Sequence, residues 1–328
     1  MKTISIMIQS LCVPCFNHCR HCLLQWEGKV HGVSWKRAEA FTERFQREVN
    51  DLRSALYFGC SMDHPDMREA LRFLRRTGSP AASFLQCDGM RMRNEAECAQ
   101  WVNMVKEEGV TDLNFTVYGQ EAYHDAFADR SGDHAYLLRL MKTGIKAGLH
   151  CSVGILLTKE NVTMIDAVIK ELREIGCSDM RLFLPHEEGR GKYLQDVRIE
   201  KADLQKLSPF AQSLLNQEMY RTEAEWVKDP GPEETVRTLL VSLTPETIDH
   251  YEAITGYQLI CELEELDDAY YASYPSFASL CAQCGDTKGM CLYSRRDLFY
   301  HYRRMYAAEH DIRVYDVTDE RHSGSRRL

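Results

Sequence analysis

Residues 12–22 read CVPCFNHCRHC, four cysteines and two histidines in eleven positions directly behind an apolar run. Within them Cys15, Cys19 and Cys22 are spaced C-x3-C-x2-C. Thiolate sulfur is a soft ligand that selects iron–sulfur clusters or zinc. Three thiolates on one loop can take three irons of a cubane and leave the fourth iron open to a small ligand. Cys12 complicates the reading, because a fourth thiol would close the site as a zinc knuckle or an electron-transfer cluster. The spacing alone does not choose between these chemistries.

A second concentration lies near the other end. Cys281, Cys284 and Cys291 are spaced C-x2-C-x6-C, and Cys261 stands twenty residues upstream. Those four supply enough sulfur for one complete cluster or for structural zinc. The chain has 13 cysteines, an odd number, and in a reducing compartment they form no disulfide framework. The scattered ones are first of all small buried hydrophobes. Cys60 and Cys87 differ in position, since each directly follows a strand-like run.

The elements that must hold these residues repeat from residue 3 to about 185: apolar strand, turn, amphipathic helix, glycine. Strands are read at 4–9, 55–58, 81–86, 112–118, 151–158 and 180–185. Their near-continuous apolar character suits parallel strands covered on both faces. In NVTMIDAVIKELREIG, Ile165, Val168, Ile169, Leu172 and Ile175 share one helical face, with Asn161 as the N-cap. Helices are expected to stop at Gly78, Gly109, Gly148 and Gly176. Strand–helix alternation predicts an α/β fold with a parallel sheet. Six units suit a partial (β/α)6 TIM-like barrel over residues 1–190, with a doubly wound open sheet as the alternative. Either fold puts its site at the C-terminal ends of the strands. The cysteine loop, Gly59–Cys60, Cys87, Tyr118–Gly119, Lys159–Glu160 and His186–Glu187 are therefore expected to share one rim. Beyond residue 190 the repeat is lost, DPGPEE (229–234) reads as a break, and 191–328 is expected to be a smaller cysteine-containing extension.

Cys15-Phe-Asn-His-Cys19-Arg-His-Cys22, behind the first strand of a six-fold β/α repeat, resembles the radical S-adenosylmethionine (SAM) enzymes. The resemblance runs over residues 3–192. FGCSMDHPDM (58–67) is similar to the family's second-strand segment, and TVYGQEAYHDAFADRSG (116–132) to its fourth. GILLTKEN (154–161) is similar to the strand-5 exit and LPHEEGRG (184–191) to the motif after strand 6. Two positions depart from the pattern. His21 stands where the family mostly has an aromatic, and Phe58-Gly59-Cys60 replaces Gly-Gly-Glu.

The resemblance implies a [4Fe-4S] cluster on Cys15, Cys19 and Cys22, with SAM chelating the open iron. It implies SAM contacts at Gly59, Cys60, Thr116 and Arg130, and an electron donor such as flavodoxin or ferredoxin. The chemistry implied is reductive cleavage of SAM to a 5′-deoxyadenosyl radical that abstracts a hydrogen from the substrate. The C-terminal region resembles the shortened "twitch" form of the SPASM domain. That implies an auxiliary [4Fe-4S] cluster on Cys261, Cys281, Cys284 and Cys291, with zinc as the competing occupant. A peptide epimerase of this family needs a thiol to return a hydrogen, and Cys60 and Cys87 are the candidate catalytic thiols.

The expected substrate is a ribosomally made peptide, epimerised or cross-linked. A small-molecule or cofactor precursor is the alternative, and a non-catalytic zinc or Fe–S binding protein is the reading from another class. A cysteine loop starting at residue 12 leaves no peptide-recognition domain ahead of it, so a peptide would be held by the barrel mouth and extension or by a separate protein. Net charge is −9, from 49 acidic and 40 basic residues, which disfavours nucleic acid as a partner. No apolar run is long enough to span a membrane, and MKTISIMIQSLC does not read as a signal peptide. A cytoplasmic location is expected. Asp88, His186, Glu187 and Glu188 offer acid–base groups at the rim, or are simply solvated loop residues. Arg130 can grip a carboxylate through its planar fork, or pair with Asp129 or Asp133.

Overall fold

The computed structural model describes residues 3–10, 15–22, 33–49, 54–58, 63, 66–76, 82–232, 236–272, 275–285 and 289–310. The expected strands form as β1 (Thr3–Ser10), β2 (Ser54–Phe58), β3 (Phe84–Gln86), β4 (Asp112–Val117), β5 (His150–Leu156) and β6 (Asp179–Phe183). Between them lie helices α1 (Trp35–Glu48), α2 (Met67–Arg76), α3 (Glu95–Glu107), α4 (Glu121–Ala128), α5 (Asp133–Lys146) and α6 (Ile165–Glu174). Strands β3, β4, β5 and β6 make one parallel sheet in that order, and β1 pairs in parallel with β2 in a second. This is the α/β architecture of parallel strands in a partial barrel that the repeat predicts. No helix among the described residues is long and apolar enough to cross a membrane.

Local signals explain the elements. Asn94 and Glu97 form a reciprocal capping box at the start of α3, each side chain accepting from the other's backbone N–H at 3.0 Å. The chain leaves α3, α5 and α6 through Gly109, Gly148 and Gly176 in left-handed conformations, φ 88°, 82° and 93°. Gly78 lies outside the described residues. Asn161 does not cap a helix. Its Oδ1 accepts from Thr158 N at 2.8 Å and its Nδ2 donates to Tyr118 O at 2.7 Å, so it ties the ends of β4 and β5 together instead.

Each strand of the four-stranded sheet has two different faces. Leu113, Phe115 and Val117 of β4 and Cys151, Val153 and Ile155 of β5 are buried in one core with Val102 and Val105 of α3 and Leu137, Leu140 and Met141 of α5. At Gly144 a Cβ would stand 2.9 Å from Leu113, which is how α5 packs so close. The opposite face is polar: Asn114 and Thr116 alternate with the core residues of β4, and Asn114 Nδ2 donates to Ser152 Oγ across the ladder at 2.7 Å. The near-continuous apolar reading of these strands missed this alternation.

Beyond residue 190 come β7 (Tyr220–Thr222), β8 (Val236–Leu243) and β9 (Leu292–Ser294), with helices α7 (Pro209–Ser213), α8 (Glu223–Lys228), α9 (Ile248–Ala253), α10 (Gly256–Ala272), α11 (Phe277–Cys284) and α12 (Arg295–Glu309). The break at 229–234 is followed by a barrel strand that the repeat did not announce. β8 lies parallel on β1, Thr3 opposite Val236 through Ser10 opposite Leu243, giving the order β2-β1-β8. The chain after 190 is thus partly built into the barrel. β7 and β9 form an antiparallel pair over a small separate core of Trp226, Phe277, Leu280, Cys281, Tyr293, Leu298 and Tyr302.

The exit from β6 is clasped by α12. Glu187, fully buried, pairs with Arg198 at 2.6 Å and with Arg304, and His301 stands 3.7 Å away. Glu188 pairs with Arg296 at 2.6 Å, and His186 Nδ1 lies 3.2 Å from Asp297 Oδ1. Burial pushes the Glu187 carboxyl up, but the His301 contact and the Arg198 and Arg304 charges hold it below the usual carboxylate range. His186, Glu187 and Glu188 are therefore structural ties, which corrects the expectation of acid–base groups at the rim.

Removing the Glu187 carboxylate leaves Arg198, 1% exposed, without its counter-charge. Glu187→Ala is expected to lose about 3–5 kcal/mol of unfolding free energy in a urea titration, and a loss near zero would show that the clasp contributes nothing. The hydrogen bond to Asp297 raises the His186 pKa; burial raises the Asp297 carboxyl but His186 and Ser294 bring it below its usual value. The histidine's contribution is complete below about pH 6.5 and fades as pH rises through its raised value, while the aspartate's is complete above about pH 4 and fades on acidification. Urea midpoints of the wild type should therefore fall more steeply above about pH 6.5 than those of His186→Gln; parallel curves would rule the pair out.

Candidate metal and cofactor site

The cysteine loop sits across the C-terminal ends of the strands, held by backbone hydrogen bonds to several elements. Phe16 N donates to Gly89 O behind β3 at 2.8 Å, and His18 N and Arg20 N donate to Ala128 O and Phe127 O at the end of α4, at 2.9 and 3.0 Å. Arg190 N, behind β6, donates to Cys22 O at 3.0 Å. Asn17, buried inside the loop, donates to Asp133 Oδ2 at 2.8 Å and accepts from Arg130 Nη1 at 3.0 Å. At the outer side Arg20 pairs with Glu160 at 2.7 Å, and Tyr123 donates to the same carboxylate at 2.8 Å.

These contacts place Cys15, Cys19 and Cys22 together, close enough for Cys22 to act on the ionisation of Cys15, and for both to act on that of Cys19. Burial pushes Cys15 up to about 12, opposed by a hydrogen bond from the Asn17 backbone. Burial raises Cys19 further, while Tyr118, whose hydroxyl donates to Cys19 Sγ at 3.2 Å, lowers it. Such thiols become thiolates only when a cation replaces their protons. Among the described residues no three His, Cys, Asp or Glu side chains close on a single metal ion. A cubane takes each thiolate on a different iron, so three neighbouring thiols that do not converge on one point are the donor set it needs. Gly89 leaves room for them: its φ is 67°, and a Cβ there would run into Cys15 Sγ.

The other expected site residues fall out differently. Thr116 lies on the polar face of β4, its N–H donating to Asp88 Oδ1 at 2.8 Å. Burial pushes the Asp88 carboxyl up to about 6, and Gln86 Nε2 also donates to it. Arg130 Nη1 is committed to Asn17, to Met90 O at 2.6 Å and to Asp133 at 3.2 Å. It braces the loop through the pairing with Asp133 weighed for it in the sequence. Cys87 is fully buried in the main core, its Sγ 3.5 Å from Leu85 O, and burial holds its pKa well above the ordinary thiol value. That corrects its expected place at the rim, because side chains alternate along the strand and Asp88 takes the inward direction. Gly59, Cys60 and Cys12 lie outside the described residues.

Cys281 and Cys284, on α11, and Cys291, ahead of β9, all border the small C-terminal core. Cys261 does not join them. It is exposed on α10, on the side opposite Leu259 and Leu263, which enter the main core. Three of the four expected cysteines thus border one core, with Cys261 exposed elsewhere on α10. Of the residues that hold the loop, sequence reasoning passed over Asn17 and His124. The signal was present in HDAFADRSGD, where polar residues recur in an otherwise helical stretch.

Gly89→Ala should cut the iron bound after anaerobic reconstitution to the level of Cys15→Ala, read by iron assay and by the absorbance of the cluster. Full iron loading of Gly89→Ala would show that Cys15 is not the ligand packed there. Cys261→Ala should leave iron content unchanged while Cys281→Ala lowers it; equal losses would restore Cys261 as a ligand.

No family model and no curated protein matches the chain. Among solved structures, Streptococcus suis SuiB bound to its precursor peptide SuiA aligns at 10% identity with a TM-score of 0.52, over 74% of this chain and 58% of SuiB. Native anSMEcpe with bound AdoMet aligns at 15% identity with a TM-score of 0.47, over 71% of this chain and 64% of that one. Escherichia coli coproporphyrinogen III oxidase (HemN), a radical SAM enzyme, aligns at 14% identity with a TM-score of 0.43, over 93% and 89%. The chain spans little more than half the length of SuiB. The likeness is one of architecture: the chain carries the partial-barrel fold found in the radical SAM enzymes.

Proposed function

We propose that the chain is a radical SAM enzyme whose [4Fe-4S] cluster is held by Cys15, Cys19 and Cys22. The observation that carries this is the position of the C-x3-C-x2-C loop, bonded across the ends of β3 and β6 and the end of α4 with its three thiols side by side. With a reduced cluster and SAM bound, the site supplies a carbon radical able to take hydrogen from a substrate C–H bond. The protein's own part is positional. Tyr118 donates to Cys19 Sγ, and hydrogen bonds to ligand sulfur are among the factors that set cluster potential. Phe127, Leu156 and Leu194 keep one side of the loop dry. Asp88, Gln86 and Thr116 line the polar face toward which SAM and substrate would enter.

A peptide is the substrate class we favour. SuiB, of similar fold, is seen with a precursor peptide, and the cysteine-bearing β7–β9 and α11 region has the makeup of a twitch-like auxiliary-cluster unit on Cys281, Cys284 and Cys291. The electrons would come from a flavodoxin- or ferredoxin-like donor.

Anaerobic reconstitution of a variant lacking Cys281, Cys284 and Cys291 should leave about four irons per chain, and dithionite with SAM should then yield 5′-deoxyadenosine. Stoichiometric zinc with no deoxyadenosine would overturn the enzyme reading. Deoxyadenosine formation that a candidate peptide does not stimulate, but a small molecule does, would overturn the peptide alone.

A further inference from the structure

Resting on the reading just given, we infer that Arg190, with His21 beside it, forms a carboxylate-binding subsite at the inner edge of the cysteine loop. Arg190 lies in the short 3-10 turn Gly189–Tyr193 that follows β6, and its backbone N–H is tied to Cys22 O at 3.0 Å. That bond anchors the residue against the loop without using its side chain. The guanidinium atoms Nε and Nη2 are buried and have no hydrogen-bond partner among the described residues, and no carboxylate pairs with them there. Buried N–H donors left without a partner are costly, and each calls for an explanation such as an ion that meets it.

The pair of orphaned atoms defines the anion. Nε–H and Nη2–H are the two donors on one edge of the planar group, parallel and spaced to meet the two oxygens of a carboxylate. His21 Nδ1 is also buried without a partner, and Arg190 is near enough to act electrostatically on the His21 ring. Two side chains close enough to interact thus carry three unsatisfied nitrogen atoms, and the Tyr118 and Phe127 rings lie 5.2 and 5.6 Å from the His21 ring. Arg130, the other arginine at this loop, already donates to Asn17, Met90 O and Asp133.

Two molecules could bring a carboxylate there, SAM itself or the substrate. Equilibrium binding of SAM and of decarboxylated SAM to the reconstituted wild type, Arg190→Gln and Arg190→Lys separates them. If SAM supplies the group, loss of its carboxylate costs the wild type at least tenfold more affinity than it costs Arg190→Gln, and Arg190→Lys falls between. If the substrate supplies it, the two nucleosides bind wild type and Arg190→Gln with the same ratio, while 13C-formate, followed by NMR with SAM saturating, binds saturably to the wild type and not to Arg190→Gln. An unchanged SAM ratio together with unchanged formate binding overturns the subsite. The formate arm is also run on metal-free protein, whose circular dichroism reports that each variant is folded. A wild type that takes up no iron yet binds formate through Arg190 would sink the radical SAM reading and leave the subsite standing.

Discussion

The Asp133 carboxylate, buried at the start of α5, accepts from Asn17 Nδ2 at 2.8 Å, from Arg130 Nη1 at 3.2 Å and from His124 Nε2 at 3.2 Å. The direction of the last bond follows from the other side of the ring. Tyr118 N–H donates to His124 Nδ1 at 3.2 Å, so Nδ1 carries no proton and Nε2 must. One carboxylate thereby fixes the cysteine loop, the exit of β4 and the first turn of α5 relative to one another. The loop's placement depends on this arrangement, because Asn17 within it is held through Asp133 and Arg130 to the elements beneath. A buried carboxylate with three donors is well satisfied, and losing any one donor would leave a desolvated charge short of partners.

The barrel was legible because its signals are local and periodic. Strand, amphipathic helix and glycine recur within short windows, and β1 to β6 fall within a few residues of their expected places. The cysteine motif was legible for the same reason, three ligands lying within eight positions. β8 was not legible: it stands after a Pro–Gly break, outside the six-fold repeat, and its long-range pairing with β1 gives it its place. Cys87 shows the same limit at the scale of one residue. Its position at a strand end was right, but whether a strand-end side chain points in or out depends on register with its neighbours. Glu187 and Glu188 read as exposed rim acids because their partners, Arg198, Arg296 and Arg304, are far away in sequence.

The clasp between the β6 exit and α12 and the strand β8 share a consequence. Residues beyond 190 reach the barrel at several places, among them the open edge of β1, the outer side of β6, where Leu215 bridges Leu182, and the turn that carries Arg190. Parallel strands at an open edge leave backbone donors and acceptors unpaired, and β8 covers those of β1 along its whole length. The turn after β6 is short and polar, with no core of its own, and the buried pairs of Glu187 and Glu188 hold it where Arg190 N can meet Cys22 O. The C-terminal region therefore shapes the cysteine loop without contributing a cysteine to it.

The polar face of the sheet narrows where recognition can occur. Asn114 is spent on Ser152, Gln86 on Asp88 and Thr116, and Asp88 on Thr116 N. Side chains already paired to one another offer a ligand little beyond shape, since any new bond must first break an old one. Among the described residues, unspent hydrogen-bonding capacity lies on the loop side, on nitrogen atoms of His21 and Arg190. Charge recognition at this end of the barrel would therefore fall on the loop side, where Arg190 N meets Cys22 O, rather than on the paired side chains of the sheet.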